Sequence, residues 1–445
     1  MERLQIDFTT EIGKIKPMHA TNNGPAGSAV RNTGIDAAFA AAGIPYARNH
    51  DASFYSGYGG ENTVDVHRIF RDFSKDETDP ASYSFASTDA YIARIEETGG
   101  HTFYRLGASI EHGVEKSGTV MPPDFEKWAR ISEHIIRHYT EGWANGFHYG
   151  IEYWEIWNEA DNCGAGIPNS CWQGTFEQFI DLYCVAASHL KKCFPHLKIG
   201  GPAFTWSVKP PQHAFMKTLR DRSVPMDFYS FHCYTRDPEI MRGCIAEARA
   251  LVDSYGYRDA ELSLNEWNYN CGWQGEGFMR GVRTILSQKG AAYTAACMCI
   301  AQESALDTMM YYDARPCAYN GLFAAYTYDL LPGYYPFKFF SVLADLGKYV
   351  PVSDMPCGVY ATAATDGRKH AVMLTRFLDE GEMGESAEPI VLSLGLMKEK
   401  KYAASVQTVQ NNACGERMPL AIDGEGSVLL SLPMYSVALI EIEEI

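Results

Sequence analysis

A chain of 445 residues, 46% hydrophobic and 21% charged, can bury a large core, suggests two or three domains and is too apolar for disorder. Its formal charge of −17, from 38 basic and 55 acidic side chains with no basic cluster, disfavours nucleic acid or an anionic membrane surface as a partner. The start, Met1 to Phe8, carries acids and lacks an apolar signal core, no uncharged apolar run is long enough to span a bilayer, and CxxC and HExxH motifs are absent. The expected setting is therefore the cytoplasm, with the twelve cysteines reduced, including Cys163 and Cys171, which flank a loop and could otherwise pair.

Leu4-Gln5-Ile6-Asp7-Phe8 alternates and suggests a strand ahead of everything else, with a frayed end as the alternative. From there, strand-like and helical runs take turns. The strands are expected at 15–19, 44–50, 101–106, 153–158, 197–200, 228–232, 262–266 and 307–312. The helices are expected at 34–42, 88–98, 123–144, 175–193, 212–221, 238–255, 278–303 and 335–346. Pro123 and Pro238 fall where first helical turns belong, and Gly99, Gly146 and Gly256 where helices stop. Eight strand–helix units predict an α/β fold, a (β/α)8 TIM barrel over residues 15–347, because parallel strands need helical crossovers.

From 348 to 445 the pattern changes to short alternating runs at 359–363, 370–375, 390–394, 402–409, 427–432 and 436–443, separated by Gly, Pro, Asp and Asn. That predicts a C-terminal antiparallel β-sandwich, which residues 1–14 could join through their one strand.

Barrel enzymes react at the C-terminal ends of their strands. Two such ends carry the chemistry here: Trp157-Asn158-Glu159 on the fourth strand and Asn265-Glu266-Trp267 on the seventh. Two carboxyls facing one mouth, among Trp and Tyr faces able to stack on sugar rings, are the equipment for cutting a glycosidic bond. One must stay protonated and the other ionised near neutral pH, so donors and cations should be aimed at the second. Arg48, ending strand two, is the candidate cation; Tyr234, on strand six, could donate a hydroxyl to the same carboxylate. His232 could serve the acid or the sugar, with a satisfied core histidine an equal alternative.

These stretches resemble clan A retaining glycoside hydrolases, and within them family 39, which holds β-xylosidases and α-L-iduronidases. The resemblance is carried by Pro17 to Pro25, Tyr83-Ser84-Phe85, Glu155 to Glu159, Lys198 to Ala203, Val224 to Tyr234 and Asn265 to Asn268. It implies that Glu159 is the acid/base, Glu266 the nucleophile, and Asn158 a ligand for the sugar 2-hydroxyl. It also implies that His50, Asn23, His232 and Tyr234 contact the sugar or the nucleophile. Trp267, Tyr269 and Trp273 follow the nucleophile and could wall the pocket; for Trp267, core packing competes. One departure stands out: Met309 falls where relatives often carry a pocket-floor Trp, with Tyr311 or Tyr312 available to replace it. The Gly-rich loop after this strand is also reduced, to Tyr319-Asn320-Gly321-Leu322.

The expected reaction is double displacement on short neutral oligosaccharides without metal or cofactor, by an exo-acting β-xylosidase. The carboxyls should then lie about 5 Å apart, against roughly 6.5–9.5 Å in an inverting enzyme. The alternatives are α-L-iduronidase, β-glucosidase, β-galactosidase or arabinosidase activity, and, from another class, a carbohydrate-binding protein on a retired barrel. A homo-oligomer is compatible with the sequence. His134 and His138 share a helical face and could in principle hold a metal, but that helix should lie outside the barrel. Gly57-Tyr58-Gly59-Gly60 reads as an aromatic entrance loop rather than a phosphate cradle.

Overall fold

The computed structural model describes residues 2–25, 27–28, 33–50, 63–111, 114–317, 319–380, 389–397 and 399–445. The expected entrance loop at Gly57 to Gly60 lies outside them.

Eight parallel strands close a barrel in chain order: Ala20–Asn22, Tyr46–Arg48, His101–Leu106, Tyr153–Ile156, Lys198–Phe204, Phe228–Thr235, Glu261–Tyr269 and Thr308–Tyr311. The first starts later than the expected 15–19. Pro17 has no N–H for a ladder, and Lys16 is used elsewhere: its Nζ donates to the carbonyls of Ala301, Ser304 and Leu306 at the end of Gln288–Glu303.

Inward side chains climb the barrel with period two. Ala20, Phe103, Tyr153, Phe228 and Met310 plug the lower end as an apolar layer. Above each lies a polar successor, as in Phe228, Ser230, His232, Tyr234 along one strand and Tyr153, Glu155 along another. Outward positions such as Trp154, Tyr229 and Leu264 join the main core under the helices.

The helices begin where the side chains allow. Thr175 and Gln178 form a reciprocal capping box for Phe176–Cys193, and Pro238 takes the first position of Pro238–Ser254 behind the Asp237 cap. Pro123 instead precedes the Asp124 cap of Phe125–Glu141, and that helix stops at Gly142 (φ 76°), not Gly146. The expected helix 278–303 is two, Gly275–Ile285 and Gln288–Glu303, broken at Leu286 and Ser287.

The C-terminal strands form two facing sheets. The larger contains Lys348–Val350, Val359–Thr365, Lys369–Arg376, Val437–Glu444 and Tyr402–Gln410; the smaller contains Val352–Ser353, Glu2–Ile6, Ile390–Leu394 and Ser427–Leu430. Lys369–Arg376 is buried on both faces: Val372 and Leu374 meet the small sheet, while Ala371 and Met373 meet the barrel-side core. Gln288–Glu303 packs on that second face, and its run of Ala, Gly and Cys lets helix and sheet approach closely. The antiparallel expectation has one exception. Glu2–Ile6 pairs parallel with Ile390–Leu394 in an interior position of the small sheet.

Candidate active site

The strand Glu261–Tyr269 carries the decisive irregularity. Against the neighbouring strand, Phe231 pairs with Leu264 but His232 pairs with Glu266, so a bulge inserts one residue. Asn265 and Glu266, adjacent in sequence, therefore both turn inward. Asn265 Nδ2 donates to Glu155 Oε1, and Glu266 receives Arg48 and Tyr234.

Arg48, wholly buried, is the hub. Its Nη1 donates to Glu266 Oε1 at 2.8 Å and Asn22 Oδ1 at 3.0 Å, Nη2 to Asn158 Oδ1 at 2.7 Å, and Nε to Glu155 Oε2 at 2.7 Å. Burial opposes its charge, but the Glu155 and Glu266 carboxylates more than offset that and hold its pKa above the ordinary arginine value. Tyr234 donates its hydroxyl to Glu266 Oε2 at 2.8 Å. Burial beside that carboxylate pushes the Tyr234 pKa well up, so the hydroxyl stays a donor. His50 Nε2 lies 3.4 Å from Glu266 Oε1. Burial, with Arg48 and Arg105 close by, holds His50 neutral, its pKa well below the usual range.

Glu159 follows the fourth strand in left-handed backbone (φ 49°), as does Trp157 (φ 74°). Non-glycine residues in this region cost energy and cluster at functional sites. Glu159 remains 20% exposed at its side chain, whereas Glu266 is almost covered. His232 Nδ1 joins them, 2.7 Å from Glu159 Oε1 and 3.5 Å from Glu266 Oε2. An oxygen of each carboxylate and the His232 nitrogen all lie within 4.8 Å of one another.

Those three groups could also hold a metal ion, as could Glu133, His189 and Cys193 between two outer helices. In the first set, Arg48 already neutralises Glu266 and disfavours a second cation there. His134 and His138 are not ligands together: His138 binds Asp89 and the Trp143 carbonyl and stacks on Phe85, while His134 reaches the Arg130 carbonyl.

Asn23 lies at the same mouth (φ 60°), its Nδ2 3.4 Å from Asp313 Oδ2. Tyr312 faces His50, Tyr234 and Tyr319 with ring centroids 6.3–6.4 Å apart. Trp273 stands at the rim, 62% exposed and edge-on to Tyr234.

Three expectations need correction. Trp267 does not wall the pocket; past the bulge it points outward, fully buried against Tyr293 and Tyr311. Tyr269, two residues on, shares that outward face and donates its hydroxyl to Asp379 in the turn after Lys369–Arg376. Met309 is likewise an outward core residue, and Tyr311 packs beside Phe337; the inward residue beyond Met310 is Tyr312. The last-strand departure therefore has to be sought at Tyr312.

Glu155, Ser230, Asn22, Asn265 and Arg105 are further site residues that the sequence reading did not single out. Ser230 Oγ donates to Glu155 Oε1 at 2.6 Å, and Arg105 Nη2 holds both the His50 carbonyl and Asp65 Oδ1 at 2.6 Å. Glu155 had a signal, since a charged residue at an inward position of a buried strand must have a partner.

Residues 58–256 match the model of glycosyl hydrolases family 39. That match spans a little under half of the chain. A β-xylosidase of Caldicellulosiruptor saccharolyticus is 29% identical over 212 residues, covering 42% of this chain and 41% of that protein. One from Geobacillus stearothermophilus is 28% identical over 175 residues, covering 34% and 32%. The chain thus spans about a third to two fifths of those relatives' length. In fold it is similar throughout to a glucosidase from Croceicoccus marinus (TM-score 0.81, 22% identity, 100% and 99% covered). It is also similar to a monomeric β-xylosidase from Caulobacter crescentus CB15 (0.72, 16%, 100% and 99%). No helix among the described residues is long and apolar enough to cross a membrane.

Proposed function

We propose that this protein is a family 39 glycoside hydrolase, retaining and exo-acting, with Glu266 the nucleophile and Glu159 the acid/base. The reading is carried by one observation, the approach of the two carboxylates to within 4.8 Å around His232. That spacing favours attack by a side chain over attack by an interposed water. The environments divide the labour: Glu266 receives a guanidinium and a hydroxyl, which favour its ionised form, while the more exposed Glu159 can deliver a proton.

Glu266 attacks the anomeric carbon as Glu159 protonates the departing oxygen, giving a covalent glycosyl-enzyme. Glu159 then takes a proton from the incoming water. Asn158, its Oδ1 engaged by Arg48, turns its amide donor toward the sugar 2-hydroxyl. Asn23, His50, Tyr234 and Tyr312 line the sugar site and Trp273 the rim.

The proposed substrate is a short, neutral β-xyloside. Two β-xylosidases among the relatives support it, as does the pairing of Arg315 with Asp313 at 2.6 Å, which leaves that cation less suited to a uronate. We place the enzyme in the cytoplasm, which the set of free cysteines supports.

A panel of aryl xyloside, arabinosides, glucoside, galactoside and iduronide, with the product anomer followed by NMR, tests substrate and stereochemistry together. The expected result is xyloside turnover with the β-anomer released first; an inverted product would overturn the mechanism. Glu266→Gln separates this from a sugar-binding barrel, since an enzyme loses turnover and keeps affinity.

A further inference from the structure

The loop after the fourth strand folds back so that a thiol lies over the proposed acid/base. Asn162 N donates to the Glu159 carbonyl, and Cys171 N to the Asn162 carbonyl, both at 2.9 Å. Trp157 Nε1 clamps the Cys171 carbonyl at 2.9 Å, so Cys171 is tied to the backbone that carries Glu159. Its side chain is buried, with Sγ 3.7 Å from Glu159 Oε2 and 3.8 Å from the Asn169 carbonyl.

We propose that Cys171 is a positioning residue for Glu159, its S–H orienting the carboxyl and biasing it toward the ionised form. The inference rests on reading Glu159 as the acid/base. Burial, then the Glu159, Glu266 and Asp161 carboxylates, push the thiol pKa well up, so Cys171 stays protonated and able to donate. Among the described residues, charged and titratable groups facing Glu159 include His232 on its other oxygen, Glu266 with Arg48 behind it, and Asp161 two residues on. Cys171 approaches the other oxygen, its Sγ donating to Oε2. An acid/base must be protonated in the first half-reaction and ionised in the second. A weak donor suits that cycle, because it supports the anion without preventing its protonation.

The test is the pH profile of kcat/KM for the parent, Cys171→Ala and Cys171→Ser on an aryl glycoside with a poor leaving group. The alkaline limb reports the acid/base and the acid limb the nucleophile. Losing the donor should move the alkaline limb up by about half a pH unit in Cys171→Ala, the scale of a weak bond to a charged group. Cys171→Ser, which keeps a donor and nearly the same volume, should return the limb to the parent position or below. The acid limb should stay in place in both. An unmoved alkaline limb in Cys171→Ala, Ser moving with Ala, or both limbs moving together overturns the proposal. Glu159→Ala with azide tests the underlying reading separately. If azide fails to restore its activity on activated substrates, the role of Glu159 falls and that of Cys171 with it; if azide restores it while Cys171→Ala keeps the parent profile, only Cys171 is wrong.

Discussion

Arg48 Nη1 donates to Glu266 Oε1 at 2.8 Å, and the same buried guanidinium is held from behind by Glu155 at 2.7 Å. Charge on the proposed nucleophile thus depends on a second carboxylate that never meets solvent. Arg48→Lys should fail even though it keeps the charge, because one ammonium cannot span Glu155, Glu266, Asn158 and Asn22. We expect kcat to fall about 10²–10³-fold, measured by steady-state kinetics. Arg48→Ala should also cost about 3–5 kcal/mol of stability by leaving Glu155 buried and unpaired, measured by denaturant unfolding.

Tyr234→Phe removes a donor to Glu266 without changing volume. The lost hydrogen bond favoured the ionised carboxylate, so the pKa of Glu266 rises and the acid limb of kcat/KM moves to higher pH. The alkaline limb should stay. A shift of one unit corresponds to about 1.4 kcal/mol, and a pH–rate profile reads it directly. An acid limb moving down instead would contradict the assigned donor direction.

Trp267 and Trp273 should separate stability from binding. Trp267→Ala empties a fully buried site and should cost about 3–5 kcal/mol with KM unchanged in the protein that remains folded. Trp273→Ala, at the exposed rim, should leave the melting temperature alone and raise KM for aryl glycosides roughly fivefold, the value of one aromatic contact. Thermal unfolding and kinetics on the same preparations check both.

Tyr269→Phe cuts a hydroxyl link from the strand bearing Glu266 to Asp379, whose other partners include Lys289 at 3.1 Å. We expect a loss of about 1–2 kcal/mol in unfolding free energy and near-parent kinetics, because Tyr269 points away from the cavity.

Much of this molecule could be read from its residues, with a clear physical limit. Trp157-Asn158-Glu159 and Asn265-Glu266-Trp267 were legible because a Glu ending a strand in a run of barrel units must face the mouth or solvent. The direction of the neighbours was not. Strict alternation cannot put both Asn265 and Glu266 inward; only the bulge opposite His232 does, and nothing in Leu264-Asn265-Glu266-Trp267 announces it. Trp267 and Tyr269 were misplaced for that reason, and Met309 for a strand phase uncertain by one residue. Glu155 is the stronger anomaly of the fourth strand, an inward charge in a buried strand that must find a partner. In the C-terminal sheets, period two showed the strands well, but the parallel seat of Glu2–Ile6 depends on a partner almost four hundred residues away.

That seat has a consequence for how the polypeptide assembles. Residues 2–6 leave the ribosome ahead of every barrel strand, yet both their ladder neighbours, Val352–Ser353 and Ile390–Leu394, are made after the barrel is complete. Leu4 and Ile6 can take their places in the small sheet only once those neighbours, and then Ser427–Leu430, have been made. A fragment beginning at residue 348 would carry a gap in the middle of that sheet, and a barrel released from its tail would keep a sticky apolar leader. Neither half can be cut cleanly from the other.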